Sequence, residues 1–253
     1  MDINNTKSVN HLAKYKTYTG FRGHLRDIQL RDNETIIIFA RHGKTIFTES
    51  HKLPAWHPDA DRLTEKGKQQ AEKLKAALNL LPVTWIASGD ARRLVEMVKI
   101  IAPPVYGQNP VWVSENQYAL FYECLRDINY GSLGGLSYKE DNNEFEKNLP
   151  DLYRTWKNDR LNFSAPGGES YSQFSSRVIE GFRREILPDS LGKISLVLSH
   201  LSTIREILVR EVLDTDISKT KLPSSEAGIT AAYFGVGKRS VSRLLLFNNT
   251  EHL

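Results

Sequence analysis

An apolar run, Thr35–Ala40, ends directly at Arg41, His42 and Gly43. Because the run is short, rich in β-branched residues and bounded by polar ones, it predicts a fully buried strand. In open α/β sheets, the carboxyl ends of the strands form the crevice in which ligands bind. The sequence therefore predicts a guanidinium and an imidazole at the edge of a sheet, next to a glycine that permits a sharp turn.

From Thr35 onward, strand-like and helix-like segments alternate along the chain. Alternation of this kind is typical of α/β proteins in which helices cover both faces of a mainly parallel sheet. We therefore predict a three-layer α/β/α fold with a mainly parallel central sheet. The later predicted strands are 83–87, 111–113 and 194–199, and the apolar runs 229–234 and 241–247 predict a hairpin or edge strands.

Residues with capping side chains mark the predicted helix starts. Thr64 begins a helix that runs to about Leu80, because Ala71, Leu74 and Leu78 recur at helical spacing. Asp90 is predicted to cap the next helix, which ends before a pair of prolines. Capping-box pairs predict two further helix starts, and these pairs are Ser170 with Gln173 and Thr203 with Glu206.

The chain divides into an extension and one domain. Residues 1–33 are polar and basic with little periodicity, so we predict an N-terminal extension that is partly ordered at best. Residues 34–253 form the predicted domain. Within it, 115–165 is irregular, aromatic and polar, which predicts a lid-like insertion containing one or two short helices broken at Pro150.

Composition limits the classes of protein to which the chain can belong. The 253 residues carry a formal net charge of +4, with Lys and Arg spread along the sequence, which fits a small anionic substrate at least as well as nucleic acid. Cys124 is the single cysteine, which excludes an intramolecular disulfide and argues against a cysteine-based zinc site. No apolar stretch approaches membrane-spanning length, and the polar start does not resemble a secretory signal. We therefore predict a cytoplasmic protein that binds neither nucleic acid nor a membrane.

Several predicted strand ends carry polar residues suited to one anion. Arg41 and His42 follow the first strand, Arg93 lies at the helix start after the second, and His200 follows the strand that ends at Ser199. Helix N-termini attract anions, arginine donates two parallel hydrogen bonds to phosphate, and a neutral histidine can attack phosphorus. These ends are predicted to converge on one phosphate. The alternative is a structural role for each, with Arg93 an exposed first-turn residue and His200 a capping or packing residue.

The order of these motifs resembles the histidine phosphatase superfamily, in its phosphoglycerate-mutase-like branch. The resemblance covers residues 35–247 and implies a phosphoglycerate-mutase-like fold. The motifs that carry it are Arg41-His42-Gly43, Leu63-Thr64-Glu65-Lys66-Gly67, Ser88-Gly89-Asp90-Ala91-Arg92-Arg93, Leu125-Arg126-Asp127-Ile128-Asn129-Tyr130-Gly131, Pro166-Gly167-Gly168-Glu169-Ser170 and Ser199-His200.

The resemblance implies a role for each residue of the site. His42 is implied to become phosphorylated, and Asp127 to act as general acid at a position where the family usually has glutamate. Arg41, Arg93 and His200 are implied to neutralise the charge on the phosphate oxygens. The family mechanism requires no metal, and we expect no cofactor.

Further substrate-binding residues are predicted around this group, and some depart from the family pattern. Lys44 stands where the family usually has Glu or Gln, and Thr48 where an asparagine often binds phosphate. Leu201 replaces a Gly or Asn, so a bulky side chain could narrow the phosphate pocket. Lys44 adds positive charge beside the nucleophile, and we hypothesise that it favours a substrate with a second anionic group. Tyr130 and Arg126 are predicted to shape the pocket.

The sequence favours a phosphomonoester hydrolase that acts on a small anionic phosphorylated metabolite through a phosphohistidine. The stretch 137–165 is short and mixed in charge, and it leads into the phosphatase-like 166–170 segment. A phosphoglycerate-type mutase stays open, because 129–136 is mutase-like. A non-catalytic protein that binds phosphorylated ligands also stays open, because of the departures at Lys44, Thr48 and Leu201. A homodimer is compatible with the sequence.

Overall fold

The protein is built around one mixed β-sheet, seen here in a computed structural model that describes residues 13–54, 56, 62–101, 120–139, 141–215, 222–237 and 241–253. The strands are β1 (Glu34–Arg41), β2 (Trp85–Ser88), β3 (Leu120–Phe121), β4 (Tyr138–Lys139), β5 (Asn142–Asn143), β6 (Ile194–Ser199), β7 (Ile229–Gly235) and β8 (Arg243–Asn249). The central sheet has the order β3-β2-β6-β1-β7-β8, and β4 pairs with β5 separately.

The pairing makes most of the central sheet parallel. Strand β6 lies between β1 and β2 and runs parallel to both, and β3 runs parallel to β2. Strand β7 is antiparallel to β1 and to β8, so the last two strands form a hairpin at one edge of the sheet. The predicted parallel sheet and the predicted C-terminal hairpin are both confirmed.

Helices flank the sheet on both faces. They are α1 (Tyr18–Arg26), α2 (Ile46–Glu49), α3 (Glu65–Leu78), α4 (Arg92–Ile101), α5 (Glu144–Asn148), α6 (Pro150–Asn158), α7 (Tyr171–Gly181), α8 (Leu187–Ser190) and α9 (Leu201–Ile207). A π-helical segment, Phe182–Ile186, joins α7 to α8, and a second, Leu208–Val212, extends α9. No described helix combines the length and the apolarity that crossing a bilayer requires.

Strand β1 shows why the fold has three layers. Its residues alternate between two hydrophobic clusters, because successive side chains of a strand point to opposite faces. Ile36 and Ile38 pack with the apolar residues of α3 and α4, whereas Ile37 and Phe39 pack with those of α7 and α9. All of these β1 side chains are fully buried, so the continuous apolar run reflects burial on both faces and the predicted α/β/α architecture is confirmed.

The predicted helix starts are confirmed at Thr64, whose side chain accepts from the Gly67 N–H, and at the Ser170 capping box. The α3 helix ends at Leu78, and the strand predicted at 83–87 spans 85–88. The strand predicted at 111–113 lies outside the described residues.

Two predicted caps are wrong. Helix α9 begins at Leu201, so Thr203 is inside it, where its hydroxyl donates to the Arg126 carbonyl at 2.9 Å. Glu206, the other member of that predicted box, accepts hydrogen bonds from the hydroxyls of two α7 residues, Tyr171 and Ser175. Helix α4 begins at Arg92, and the Asp90 carboxylate accepts from the Arg126 guanidinium at 2.8 and 3.0 Å. Capping patterns cannot reveal such long-range partners, which engage the polar groups instead.

The segment predicted as an extension contains an ordered helix, α1. Tyr18, Phe21 and Leu25 are buried and join the same hydrophobic cluster as α3 and α4. The Tyr18 hydroxyl donates to the Ala77 carbonyl in α3. The helical spacing of Tyr18, Phe21 and Leu25 is the sequence signal for this helix, and it was overlooked because the segment is polar and basic. The division of the chain at residue 34 stays a prediction.

Removing the N-cap of α1 is expected to destabilise the whole domain if α1 folds as part of it. The Thr17 side chain accepts from the Gly20 N–H at 3.2 Å. We expect Thr17→Ala to lower the free energy of unfolding by about 1 kcal/mol, measured by urea denaturation. Thr19→Ala, at an exposed position of the same helix, should change it by less than about 0.5 kcal/mol. Equal effects of the two substitutions would contradict a cooperative role for α1.

The described part of the predicted lid, 120–139 and 141–165, has its own small core. Leu133, Phe145 and Ala165 form a separate buried cluster. Two short helices are present, and the break between them falls at Leu149, because α5 ends at Asn148 and α6 begins at Pro150. Movement of this segment as a lid stays a prediction.

Candidate active site

The register of β1 and β6 brings the two histidines together. Arg41 pairs with Ser199 in the parallel ladder, and the His42 N–H donates to the Ser199 carbonyl at 3.1 Å. The next side chains on the two strands are therefore neighbours. The His42 and His200 rings lie 5.3 Å apart, centroid to centroid, with an interplanar angle of 60°.

Two glycines allow the backbone after His42 to meet the start of α3. A Cβ on Gly43 would lie 2.5 Å from the Gly67 carbonyl oxygen, and a Cβ on Gly67 would lie 2.1 Å from the Lys44 carbonyl oxygen. Neither distance is tolerable, so glycine is required at both positions. This contact explains why the Leu-Thr-x-x-Gly segment accompanies the Arg-His-Gly segment in one fold.

An arginine and a carboxyl group complete the arrangement around His200. Arg93 Nη2 lies 3.1 Å from His200 Nδ1 and 3.8 Å from Asp127 Oδ2. Asp127 Oδ2 is also 3.8 Å from His200 Nδ1. His42, Arg93, Asp127 and His200 are all buried, and the Arg41 charge acts on the Asp127 carboxyl. These residues, with Arg41, are called the central cluster below.

Hydrogen-bond partners assign opposite tautomers to the two histidines. His42 Nδ1 lies 2.8 Å from the Gly43 carbonyl oxygen, which can only accept, so Nδ1 carries the proton and Nε2 has the lone pair. The Arg93 guanidinium can only donate, so His200 Nδ1 accepts and Nε2 carries the proton. Within the described residues, His200 Nε2 is buried without a hydrogen-bond partner. The cluster thus offers a nucleophilic nitrogen and a free N–H donor.

The electrostatics of the central cluster suit these roles. Burial, reinforced by the charges of Arg93 and Arg41, holds the pKa of His42 and of His200 well below the usual histidine value. Both rings are therefore neutral at neutral pH. Burial raises the pKa of the Asp127 carboxyl above its usual value, opposed by Arg93 and by the Ile128 N–H. The protonated form of Asp127 is thereby favoured relative to an exposed aspartate.

Comparison with known families decides the membership of the chain. The model of the histidine phosphatase superfamily (branch 1) matches residues 37–246, a span that includes the whole central cluster. The chain belongs to the histidine phosphatase superfamily. The resemblance stated from the sequence motifs is therefore confirmed.

Individual relatives of this chain are distant. A curated 2,3-bisphosphoglycerate-dependent phosphoglycerate mutase from Parvibaculum lavamentivorans is 26% identical over 177 residues, covering 69% of this chain and 79% of the mutase. The structure of a putative alpha-ribazole-5'-P phosphatase from Escherichia coli superposes with a TM-score of 0.70 at 16% identity, covering 85% of this chain and 96% of that one. For phosphoserine phosphatase from Entamoeba histolytica the TM-score is 0.64 at 21% identity, with 87% and 99% covered. The structural likenesses show the shared fold.

Several residues that the sequence analysis missed hold the Asp127 segment in place. The Ser199 hydroxyl donates to the Leu125 carbonyl at 2.8 Å, and the Trp56 indole N–H donates to the Asp127 carbonyl at 2.9 Å. The Glu169 carboxylate accepts from the Asn129 N–H at 2.8 Å, and it is paired with Arg177 at 2.7 Å. Glu169 belongs to the Pro-Gly-Gly-Glu-Ser motif, which could have pointed to a role for it. Trp56 belongs to none of the motifs, so no sequence pattern indicated its contact with Asp127.

The remaining predicted substrate-binding residues lie in different settings. The Arg126 guanidinium is paired with Asp90 and Glu123. Thr48 forms a capping box with Thr45 at the start of α2. The Tyr130 hydroxyl has its pKa raised by burial and by the Asp127 charge, which places it near the cluster. Lys44 is paired with a glutamate, as described below. Direct roles of these residues in binding substrate stay predictions.

The described residues present no obvious metal centre. Within the described ranges, no group of three or more His, Cys, Asp or Glu side chains is arranged to hold a metal ion. Cys124 is buried beneath Gly181, where burial raises its thiol pKa to about 12.

Proposed function

We propose that the protein hydrolyses phosphomonoesters of small metabolites through a phosphohistidine formed on His42. The observation that carries this proposal is the pair of complementary tautomers, a lone pair on His42 Nε2 and an N–H on His200 Nε2, with the rings 5.3 Å apart. A nucleophile and a hydrogen-bond donor beside two arginines match the needs of phosphoryl transfer. Membership of the histidine phosphatase superfamily supports the same reaction.

The reaction proceeds in two steps. First, the His42 Nε2 lone pair forms a bond to phosphorus as the bond to the ester oxygen breaks, and protonated Asp127 gives its proton to the departing alkoxide. Second, the Asp127 carboxylate takes a proton from water, the water oxygen attacks phosphorus, and the electron pair of the N–P bond returns to His42. The products are an alcohol and inorganic phosphate.

Arg41, Arg93 and His200 stabilise the charge on the transferred phosphoryl group. The Arg41 Nε atom, like His200 Nε2, is buried with no hydrogen-bond partner in the described part of the chain. A buried donor without a partner is costly, so an incoming phosphate oxygen gains from satisfying it. Because these groups are fixed before substrate binds, they need little reorganisation during the reaction.

A mutase is the second candidate. Two curated relatives, each 26% identical to this chain, are named 2,3-bisphosphoglycerate-dependent phosphoglycerate mutases. The deciding experiment measures phosphate release from glycerol 3-phosphate and other simple phosphoesters without bisphosphoglycerate. A phosphatase turns over repeatedly under these conditions. Negligible release, together with phosphoglycerate isomerisation that depends on bisphosphoglycerate, would establish the mutase instead.

We further propose that the hydrolysis needs no metal ion, because the residues of the central cluster themselves supply the nucleophile, the acid and the positive charge. The measurement is phosphate release before and after prolonged treatment with EDTA followed by gel filtration. Unchanged kcat supports the proposal. A loss of activity that added Mg²⁺, Mn²⁺ or Zn²⁺ restores would refute it.

The pH dependence of kcat/KM for glycerol 3-phosphate should reflect the two shifted groups. Activity requires neutral His42, whose pKa is lowered, and protonated Asp127, whose pKa is raised. The lowered histidine pKa keeps His42 neutral well below pH 6.5, whereas Asp127 loses its proton as the pH rises through its raised pKa. We therefore expect a mildly acidic optimum and a fall toward alkaline pH.

The variant Asp127→Asn provides the control for this profile, because ionisation of the substrate is common to both enzymes. The part of the alkaline fall that belongs to Asp127 should be absent in the variant. A pKa near 6.5 for the His42 ring, measured by NMR titration of the free enzyme, would contradict a neutral, buried nucleophile.

A further inference from the structure

A carboxylate stands beside the phosphate-binding arginine Arg41. The segment that precedes β7 runs along the end of β1, where the Ala227 N–H donates to the Arg41 carbonyl and Arg41 Nη1 donates to the Ser224 carbonyl, both at 3.0 Å. Glu226 lies in this segment and pairs with Arg41 in a parallel bridge. Among the neighbouring charges, Glu226 has the largest effect on the Arg41 guanidinium. Its side chain is only 17% exposed.

The same carboxylate pairs with Lys44, two residues after the nucleophile. Lys44 Nζ lies 3.8 Å from Glu226 Oε2, and the Lys44 side chain is 23% exposed. Two partly buried, opposite charges at this distance largely cancel one another toward a third charge. The Lys44 charge is therefore not free to attract a second anionic group, in contrast to the hypothesis drawn from the sequence.

Among the described residues, the charges of the central cluster are suited to one phosphate group. Within the central cluster, the cations are Arg41 and Arg93, and both histidines are neutral. Lys44 and Glu226 together add no net charge. A carboxylate or second phosphate on the organic part of a substrate would find the Lys44 charge already neutralised by Glu226.

We propose that the Lys44–Glu226 pair is a specificity element that selects phosphomonoesters with an uncharged organic part over those with a carboxylate or second phosphate. This inference rests on the proposed phosphatase activity and names its substrate class. The selection comes from withholding an attractive charge, because Glu226 neutralises the lysine that would otherwise favour a second anionic group.

The test compares two substrates of nearly equal size, glycerol 3-phosphate and 3-phosphoglycerate. The first has an uncharged hydroxymethyl group where the second has a carboxylate. The ratio of their kcat/KM values is measured for the wild type and for Glu226→Gln. We expect the wild type to prefer glycerol 3-phosphate and the variant to lower that ratio by about tenfold, because Lys44 becomes free to pair with the carboxylate. Adding Lys44→Gln to Glu226→Gln should return the ratio toward the wild-type value.

A matched control separates local from general charge effects. Glu72 and Lys75 form a comparable pair at 3.9 Å on α3, with Glu72 largely exposed. Glu72→Gln makes the same change in net charge, and we expect it to leave the ratio unchanged within twofold. Should Glu226→Gln behave like Glu72→Gln, or should the wild type prefer 3-phosphoglycerate, the specificity role is wrong.

Inhibition constants keep the inference testable if both compounds turn over slowly. Each compound is then measured as a competitive inhibitor of p-nitrophenyl phosphate hydrolysis, and the same tenfold change in the ratio is expected. Absence of any hydrolysis that depends on His42 would defeat the proposed function. An unchanged ratio in an active, folded Glu226→Gln variant would defeat only the charge selection.

Discussion

Replacing His42 by alanine is expected to lower kcat for phosphomonoester hydrolysis by at least about 10⁴-fold, because the variant has no atom with which to form the covalent intermediate. The loss should appear in kcat rather than in folding, since a neutral, buried ring is replaced by a smaller apolar group. Phosphate release from glycerol 3-phosphate measures it. Rapid acid-free quenching with radiolabelled substrate should detect a phosphoenzyme in the wild type and none in the variant.

A histidine outside the cluster supplies the control. His24 lies in α1, where the centroid of its ring is 5.1 Å from that of the Tyr15 ring. His24→Ala should keep kcat within about twofold of the wild type, as expected for a site remote from the chemistry. If His42→Ala retained a substantial part of the wild-type kcat, the covalent mechanism would be wrong. If the wild type itself released no phosphate, the non-catalytic alternative left open by the sequence would gain support.

Replacing Asp127 by asparagine should separate the two steps of the reaction. An amide cannot donate a proton to the leaving group, so we expect kcat for glycerol 3-phosphate to fall by about 10²–10⁴-fold. The p-nitrophenolate group leaves without a proton, so the first step with p-nitrophenyl phosphate should slow by less than about tenfold. Because the second step still lacks its base, a burst of p-nitrophenol should precede slow turnover, and the phosphoenzyme should accumulate.

The burst is the feature that a merely structural role of Asp127 would not produce. Asp141→Asn, at an exposed carboxylate paired with Lys139 at 3.0 Å, is the matched control and should show wild-type kinetics with both substrates. An equal loss of rate for alkyl and p-nitrophenyl esters, without a burst, would show that Asp127 does not act as the acid. Asp127→Glu should restore part of the activity, since glutamate is the residue usual in the family.

Most of the central cluster could be predicted from the sequence, because all its members except Asp127 directly follow or lie near a recognisable strand end. Arg41, His42 and His200 extend from buried apolar runs, and parallel pairing of β1 with β6 brings those runs side by side. Asp127 lies in an irregular loop, so only its motif revealed it. Its fixed position depends on Trp56, Glu169 and other partners distant in sequence, which no local pattern predicts.

The failures of the sequence analysis have a common physical cause. The sequence could not show that Glu226, distant in the chain, lies 3.8 Å from the Lys44 ammonium group, and the predicted role of Lys44 in binding substrate stays untested. The Thr203–Glu206 pair matched a capping pattern, but both side chains find tertiary partners instead. Helix α1 was overlooked because its apolar residues are separated by polar residues and glycines in a basic segment. Local patterns record spacing, whereas these outcomes depend on which segments meet in three dimensions.

The most direct test of the account is a crystal structure of the protein with orthovanadate, a mimic of the phosphoryl group in transfer. We predict vanadium bonded to His42 Nε2 at about 2 Å, with equatorial oxygens about 3 Å from the guanidinium groups of Arg41 and Arg93 and from His200 Nε2. An apical oxygen should face the Asp127 carboxyl. Vanadate bound away from His42, or attached through Nδ1 with His200 making no contact, would contradict the central claim that these side chains surround one phosphoryl group.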